Sequence, residues 1–253
     1  MQLHDTLALV TGAASGIGNA TARALLAQGA QVYGLDLQPS IDRAQPLEGL
    51  TLLAADVTDY AAVEATLAQV HEVGQPLRTV VNCAGIAPGA RVLSKKGKHD
   101  PALFAKTVSI NLVGTFNVLT NAAAVMAEQA PATEDGCRGV VINTASIAAF
   151  EGQIGQIAYA ASKGGVAAMT LPAARDLASS GIRVNTIAPG IVDTPLMAGI
   201  TEEFREALAA GVPFPQRLAT PAEFADLAVF IAQHDYINGE TIRMDGALRM
   251  GPR

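Results

Sequence analysis

The sequence predicts a doubly wound α/β fold: a single domain with a mostly parallel, seven-stranded sheet and helices on both faces. Three observations point to it. Short apolar runs alternate with helical stretches along the chain, which implies parallel strands joined by right-handed crossovers. The first strand-to-helix junction is a glycine-rich turn. Half of the 253 residues are hydrophobic and only 16% are charged, as suits strands buried on both faces. A chain of this length could hold two small domains, but α/β sheets of this size often form one. No linker, fixed-period repeat or low-complexity segment divides it, so residues 1–253 are read as one unit.

Strand-like runs fall at 7–10, 32–35, 50–54, 79–82, 140–145, 183–188 and 240–244. Helical stretches fall near 16–28, 60–73, 101–129, 156–179, 202–210 and 221–232. The first run, Leu7–Val10, leads into TGAASGIG and an Ala-rich helix. Gly12, Gly16 and Gly18 let the backbone turn tightly and approach a phosphate. The new helix, entered through Ser15, Gly16 and Ile17, aims its free N–H groups at that phosphate. The spacing is Gly-x-x-x-Gly-x-Gly, and a lone glycine triad also serves any strand-to-helix turn. Here it opens a strand–turn–helix unit of Rossmann type. The second run ends in Asp36, which can accept hydrogen bonds from an adenine-ribose diol and would repel a 2′-phosphate. Ala13, Ala14 and Leu37 offer no positive charge, so the cofactor expected is NAD rather than NADP.

Asp56 and Val57 follow the third run, although DVTDY also reads as a helix N-cap. Asn82-Cys83-Ala84-Gly85 ends the fourth run, where small residues let a ligand lie against backbone in the crevice at the strand ends. The stretch 86–101 reads as a loop. Asn111 interrupts the apolar helical segment SINLVGTFNVL, where Asn is neutral or unfavourable; its plain structural reading is a buried amide bonded to backbone. The fifth run leads to Ser146. Tyr159 and Lys163 are one helical turn apart, so both side chains share a face, roughly 6 Å apart at Cβ. An adjacent ammonium lowers a tyrosine pKa from ~10 toward neutrality, which makes Tyr159 a candidate acid/base for a hydroxyl or carbonyl. Ser146 could donate to the same oxygen. Alone, such a pair is more often an ordinary feature of a helix surface; the glycine turn changes that balance. Pro189-Gly190 follow the sixth run. The segment 195–216, punctuated by Pro195, Pro213 and Pro215, reads as a mobile cover over the substrate.

These motifs, in this order and spacing, resemble the short-chain dehydrogenase/reductase family over essentially the whole chain: TGAASGIG, Asp56-Val57, NCAG, Asn111, Ser146, Tyr159, Lys163, Pro189-Gly190 and Thr194. Longer runs, including GVVINTASIAAFEGQIGQIAYAASKGG and NGETIRMDGALRM, are similar to the type-10 hydroxysteroid/short-chain 3-hydroxyacyl-CoA dehydrogenases. The resemblance implies that Ser146, Tyr159, Lys163 and Asn111 are catalytic. It sets Asp56 against the adenine amino group and Val57 beside the base. It puts Asn82, Cys83, Ala84 and Gly85 along the cofactor, Pro189, Gly190 and Val192 near the nicotinamide, and Thr194 on its carboxamide. Lys163 would bond the nicotinamide ribose, and a water at Asn111 would complete a proton path from Tyr159 through Lys163 to solvent. The family usually carries Asn-Asn-Ala-Gly, so Cys83 is a departure of similar size; no His or Lys beside it in sequence suggests an activated thiol.

The net charge of −6 argues against general binding to nucleic acid or membrane surfaces. No apolar run reaches the ~18 residues of a membrane span, and the start is neither a signal nor a transit peptide. Cys83 and Cys137 form no CxxC and read as reduced thiols of a cytoplasmic protein. The four histidines are scattered without metal-ligand spacing, so no metal site is expected. One local exception to the acidic balance bears on substrate. Arg91, Lys95, Lys96 and Lys98 form a basic cluster, either a solvated loop or a contact for coenzyme A phosphates; the resembling subgroup carries a matching Lys-Lys-Gly. Gln153 and Gln156 flank the pocket side, and Gln156 is a candidate second donor to a thioester or keto oxygen. The expected reaction is NAD-dependent interconversion of a secondary alcohol and a ketone, a short 3-hydroxyacyl-CoA being the first candidate. A CoA-free alcohol such as a hydroxysteroid, or a non-catalytic NAD-binding scaffold, are the alternatives. Family members are commonly homotetramers, built on 101–129, 156–179 and the C-terminal segment.

Overall fold

The computed structural model of the chain describes residues 1–95, 97–197 and 200–252. In chain order the elements are β1 (Leu7–Thr11), α1 (Gly16–Ala27), β2 (Gln31–Asp36), a short α2 (Gln38–Ile41), β3 (Leu50–Ala54), α3 (Tyr60–His71) and β4 (Leu77–Asn82). There follow a small hairpin, β5 (Leu93–Ser94) and β6 (Gly97–Lys98), then α4 (Pro101–Val108), α5 (Gly114–Ala127), β7 (Gly139–Thr144) and α6 (Ile157–Asp176). The last elements are β8 (Ile182–Pro189), α7 (Glu202–Ala210), α8 (Pro221–Gln233) and β9 (Thr241–Met244). Seven strands form one sheet in the order β3-β2-β1-β4-β7-β8-β9, and every pairing in it is parallel. The doubly wound α/β expectation is met.

The strands separate two apolar layers because successive side chains point to opposite faces. In β1, Leu7 and Leu9 face α3 and α5 with Val63, Leu67, Val118 and Met126. Ala8 and Val10 face α1 and α8 with Leu25, Phe224, Ala228 and Ile231. All these residues are buried. Strand order reverses beside β1, since β2 and β3 lie on one side of it and β4 and β7 on the other. That reversal leaves a crevice at the carboxyl ends of the strands.

The predicted helix at 101–129 proves to be two α-helices joined by a π-helical turn, Ser109–Val113, with Asn111 at its middle. The Gly114 N–H donates to the Ser109 carbonyl, an i→i+5 bond. By length and composition the continuous run Pro101–Ala127 also passes as a membrane span. The sequence reading missed this because polar residues interrupt the run. Here it is a core helix, with 56% of its most apolar window buried inside the fold. The predicted loop 86–101 contains the β5–β6 hairpin and is pinned by a bond from the Ala90 N–H to the Gly155 carbonyl, 2.8 Å.

Two glycines in the first turn are required by contact. Gly12 has φ +66°, and a Cβ there would lie 3.0 Å from the Ala84 nitrogen. A Cβ on Gly18 would lie 2.2 Å from the Gly12 carbonyl oxygen. The turn therefore folds on itself and against the end of β4 with no room for a methyl group. Gly18→Ala is expected to destabilise the protein by about 1–3 kcal/mol through forced backbone movement. Urea unfolding reads this directly, and an unchanged midpoint would show that α1 has slack against β1.

Candidate active site

The cleft at the strand ends has two joined chambers. The first, of about 340 Å³, is lined by Gly12, Ser15, Gly16, Ile17 and Gly18, by Asp36 at the end of β2, by Asp56 and Val57 after β3, and by Cys83, Ala84 and Gly85 after β4. The second, of about 410 Å³, is lined by Ser146, Gln153, Gln156, Tyr159, Lys163, Pro189, Gly190 and Val192. Ile17, Cys83, Gly85, Ile86 and Thr194 border both.

The first chamber suits a dinucleotide. Ser15 precedes α1 without a side-chain capping bond, which leaves first-turn amides available to an anion. The Asp36 carboxylate accepts from the Ala14 N–H at 3.0 Å and the Leu37 N–H at 2.8 Å. It is thereby fixed beside the glycine turn as an acceptor for a diol. Asp56 does not cap α3. Its Oδ1 accepts from the Thr58 N–H and hydroxyl, while Asp59 caps the helix through the Ala62 N–H. Val57 is held from behind, where Asn117 Nδ2 donates to its carbonyl at 2.9 Å. Thr11, the first residue of the glycine motif, accepts from the Cys83 and Ala84 N–H groups at 3.0 Å each. The sequence reading passed over both Thr11 and Asn117. A polar residue ending the apolar run LALV was the available signal for Thr11; Asn117 had none.

The second chamber holds the polar group predicted for it. Ser146 ends the β7 connection, and its Oγ accepts from the Ala148 N–H at 3.1 Å, capping a single 3₁₀ turn. Tyr159 and Ser146 both line this chamber, and Ser146 is near enough to bear on the titration of the Tyr159 phenol. One turn further along α6, Lys163 Nζ donates to the Thr144 carbonyl at 2.6 Å and lies 5.9 Å from the Tyr159 ring centroid. Both Ser146 and Lys163 are buried.

A family model described as enoyl-(acyl carrier protein) reductase matches residues 12–248. The 3-hydroxyacyl-CoA dehydrogenase type-2 of Bos taurus is 48% identical over 251 residues, 97% of this chain and 96% of that one. The (3R)-3-hydroxyacyl-CoA dehydrogenase of Homo sapiens is 35% identical, with 98% of this chain and 97% of that one covered. The crystal structure of 3-hydroxyacyl-CoA dehydrogenase type-2 from Mycobacterium avium superposes with a TM-score of 0.89 at 41% identity, covering 100% of both chains. The chain belongs to the short-chain dehydrogenase/reductase family. It is an oxidoreductase, and dehydrogenases of this family typically use a nicotinamide cofactor.

For a short-chain dehydrogenase/reductase, several placements differ from the sequence expectation. Tyr159 was expected to titrate low beside Lys163. Here burial raises its pKa above the ordinary value, and Ser146 only partly opposes this. Lys163 spends its short hydrogen bond on Thr144 rather than on the phenol. Burial lowers the Lys163 pKa to about 8, with the neighbouring Cys83 opposing. Burial likewise raises Cys83 to about 11, which agrees with its reading as a packing residue and not a nucleophile. Asn82 was expected along the cofactor. It lies beneath the cleft floor instead, buried, with Nδ2 donating to Asn143 Oδ1 at 3.0 Å.

Asn111 is fully buried and both donors of its amide are used. Nδ2 donates to the Ile86 carbonyl at 2.8 Å and to Ser162 Oγ at 3.0 Å, and Oδ1 accepts from the Ile86 N–H at 2.8 Å. A bridging water could meet it only at an oxygen, Oδ1 or the main-chain carbonyl that already accepts from the Thr115 hydroxyl. Gln156 lines the chamber, and its Oε1 accepts from the Gln153 N–H at 3.0 Å, so a bond to a substrate oxygen would come from its Nε2. Arg91, Lys95 and Lys98 are exposed and border neither chamber; Lys96 lies outside the described residues. The substrate-chamber walls Ile147, Ile191, Met197, Phe204, Leu208 and Met250 were not foreseen. The cover segment does reach the chamber, through Met197 and through Phe204 and Leu208 of α7.

The lowered Lys163 pKa is a stability statement. Between the folded value of about 8 and the ordinary value of 10.5 the unfolded chain binds more protons, so stability rises with pH across that window. Below pH 8 the full penalty for burying the ammonium applies, on the order of 3 kcal/mol. Lys163→Met is therefore expected to raise the Tm of the cofactor-free protein at pH 7 by a few degrees and to flatten its rise between pH 8 and 10. A lower Tm would show that the bond to Thr144 outweighs the burial cost.

Proposed function

We propose that this protein interconverts a secondary alcohol and a ketone with NAD, acting on a short 3-hydroxyacyl-CoA. The observation that carries this is that Ser146 and Tyr159 line the second chamber together, with Lys163 one helical turn from Tyr159 and 5.9 Å from its ring, and with the glycine-turn chamber adjoining. The bound nicotinamide supplies the chemistry of accepting or donating a hydride. The chain's residues do the rest. In oxidation, Tyr159 as phenolate takes the proton of the substrate hydroxyl, and Ser146 donates a hydrogen bond to that oxygen. In reduction, Tyr159 returns the proton. Lys163, 5.9 Å from the Tyr159 ring, is the basic group beside the phenol, and its neighbour Asn111 holds the Gly85–Ile86 turn against it. Asp36 favours NAD, because a 2′-phosphate there would meet a carboxylate.

The 3-hydroxyacyl-CoA relatives support the substrate class. The exposed cluster of Arg91, Lys95 and Lys98 beside the cleft-side bond Ala90–Gly155 supports a site for the coenzyme's phosphates outside the chambers. Assembly as a homotetramer is supported by exposed Val113 and Phe116 on the long helix and by Ile157 and Leu171 on α6, apolar faces that a partner would cover.

The decisive assay is NADH appearance at alkaline pH with (S)-3-hydroxybutyryl-CoA, beside free 3-hydroxybutyrate and a hydroxysteroid, with NADP in parallel. The expected result is turnover of the CoA ester with NAD and a loss of about 10²–10⁴-fold or more in Tyr159→Phe. Activity on a free alcohol alone would remove the CoA assignment and leave the chemistry standing. Because the Tyr159 pKa is raised, oxidation should climb into the alkaline range as the phenol deprotonates, while reduction falls over the same range. Reversing Lys95 and Lys96 to Glu should raise KM for the CoA ester several-fold and spare a CoA-free alcohol; an equal effect on both would remove the phosphate contact.

A further inference from the structure

We infer that Met250 sets the length of acyl or alkyl chain that the second chamber accepts, and that an ion network on Glu151 and Arg243 holds it there. This rests on the alcohol-oxidising reading above. Met250 lies in the irregular segment that follows β9, yet it forms part of the chamber wall together with Ile147, Ile191 and Leu208. It also packs on the small apolar cluster of Ile147, Val212 and Leu248. A methionine side chain in that position fills space a longer substrate would need, and it does so adaptably because it is unbranched.

The segment is held on both sides of Met250. Before it, Arg243 from β9 makes a bidentate pair with Glu151, 2.7 and 2.8 Å, and donates through Nε to Asp245 at 2.7 Å. The same guanidinium donates to the Leu248 carbonyl at 3.1 Å and lies 5.3 Å over the Phe150 ring. Arg249 adds bonds to Asp245 and to the Leu248 carbonyl. After it, Gln153 Nε2 donates to the Gly251 carbonyl at 3.3 Å and the Ile154 N–H to the Pro252 carbonyl at 3.0 Å. Every anchor on the far side, Phe150, Glu151, Gln153 and Ile154, belongs to the loop between Ser146 and Tyr159. The network therefore ties this wall of the chamber to the segment between Ser146 and Tyr159. Planar, bidentate guanidinium–carboxylate pairing fixes geometry as well as energy.

The test measures kcat/KM across two homologous series, 3-hydroxyacyl-CoA esters and CoA-free 2-alkanols, each from four to ten carbons. Met250→Ala should raise the ratio of eight-carbon to four-carbon kcat/KM by about tenfold, and Met250→Phe should lower it. Glu151→Gln should move the ratio in the same direction as Met250→Ala, by less. Unchanged ratios in both Met250 variants, with activity retained, would overturn the inference. A shift in Met250→Ala without one in Glu151→Gln would overturn the anchoring role alone. Turnover of the alkanols but not of the CoA esters, with the ratio still shifting, would support the role of Met250 and sink the CoA reading. Turnover of neither series would sink both.

Discussion

The bond from Lys163 to the last carbonyl of β7 is the interaction around which the site is assembled. It sets the height of α6 against the end of the sheet. Tyr159, one turn earlier on the same face, is then carried to the Ser146 hydroxyl, which lies just past the same strand. Ser162, beside Lys163, donates to the Tyr159 carbonyl and accepts from Asn111. Asn111 in turn grips both backbone groups of Ile86. Helix, strand end and the turn after β4 are thus locked by one continuous chain of polar contacts. Gly85 lies inside it, where a Cβ would be 3.1 Å from Asn111 Oδ1 and 3.6 Å from Lys163 Nζ. Such a network rigidifies because each buried member is satisfied.

The same burial sets the electrostatic character of the site. The ammonium, the phenol and the Cys83 thiol are all pushed toward their neutral forms by desolvation. None is poised for chemistry by its protein neighbours alone. The structure stores unfavourable burial in Lys163. Functional sites commonly trade stability in this way.

What could be read from sequence divides along physical lines. The glycine turn, Asp36 and the Tyr159–Lys163 pair were legible because each rests on contacts within one turn or one strand–helix junction. The seven strand-like runs and six helical stretches were legible because apolar periodicity is local. The π-turn at Asn111 was not, since the contacts that hold this residue run across 25 residues to Ile86 and across 51 to Ser162. The Tyr159 pKa was misjudged for a related reason. Sequence spacing shows that a lysine is near, but not that its ammonium turns to a strand carbonyl, nor how deeply the phenol is buried. Asn82 was misplaced because its motif neighbours Cys83–Gly85 do line the cleft, while the strand pleat sends its own side chain to Asn143.

This division also explains why the reaction is easier to read than the substrate. The first chamber is made of backbone turns whose shape is dictated by adjacent glycines. The hydroxyl pair and the lysine come from one loop and one helix. The walls that meet a substrate come from positions 147, 191, 197, 204, 208 and 250, apolar residues in segments with no shared spacing. Each is unremarkable in sequence, and only the fold makes them one surface. Chemistry here is specified by short-range order, and selectivity by long-range packing. A change at the far wall can therefore alter which alcohol is accepted without touching the groups that move its proton.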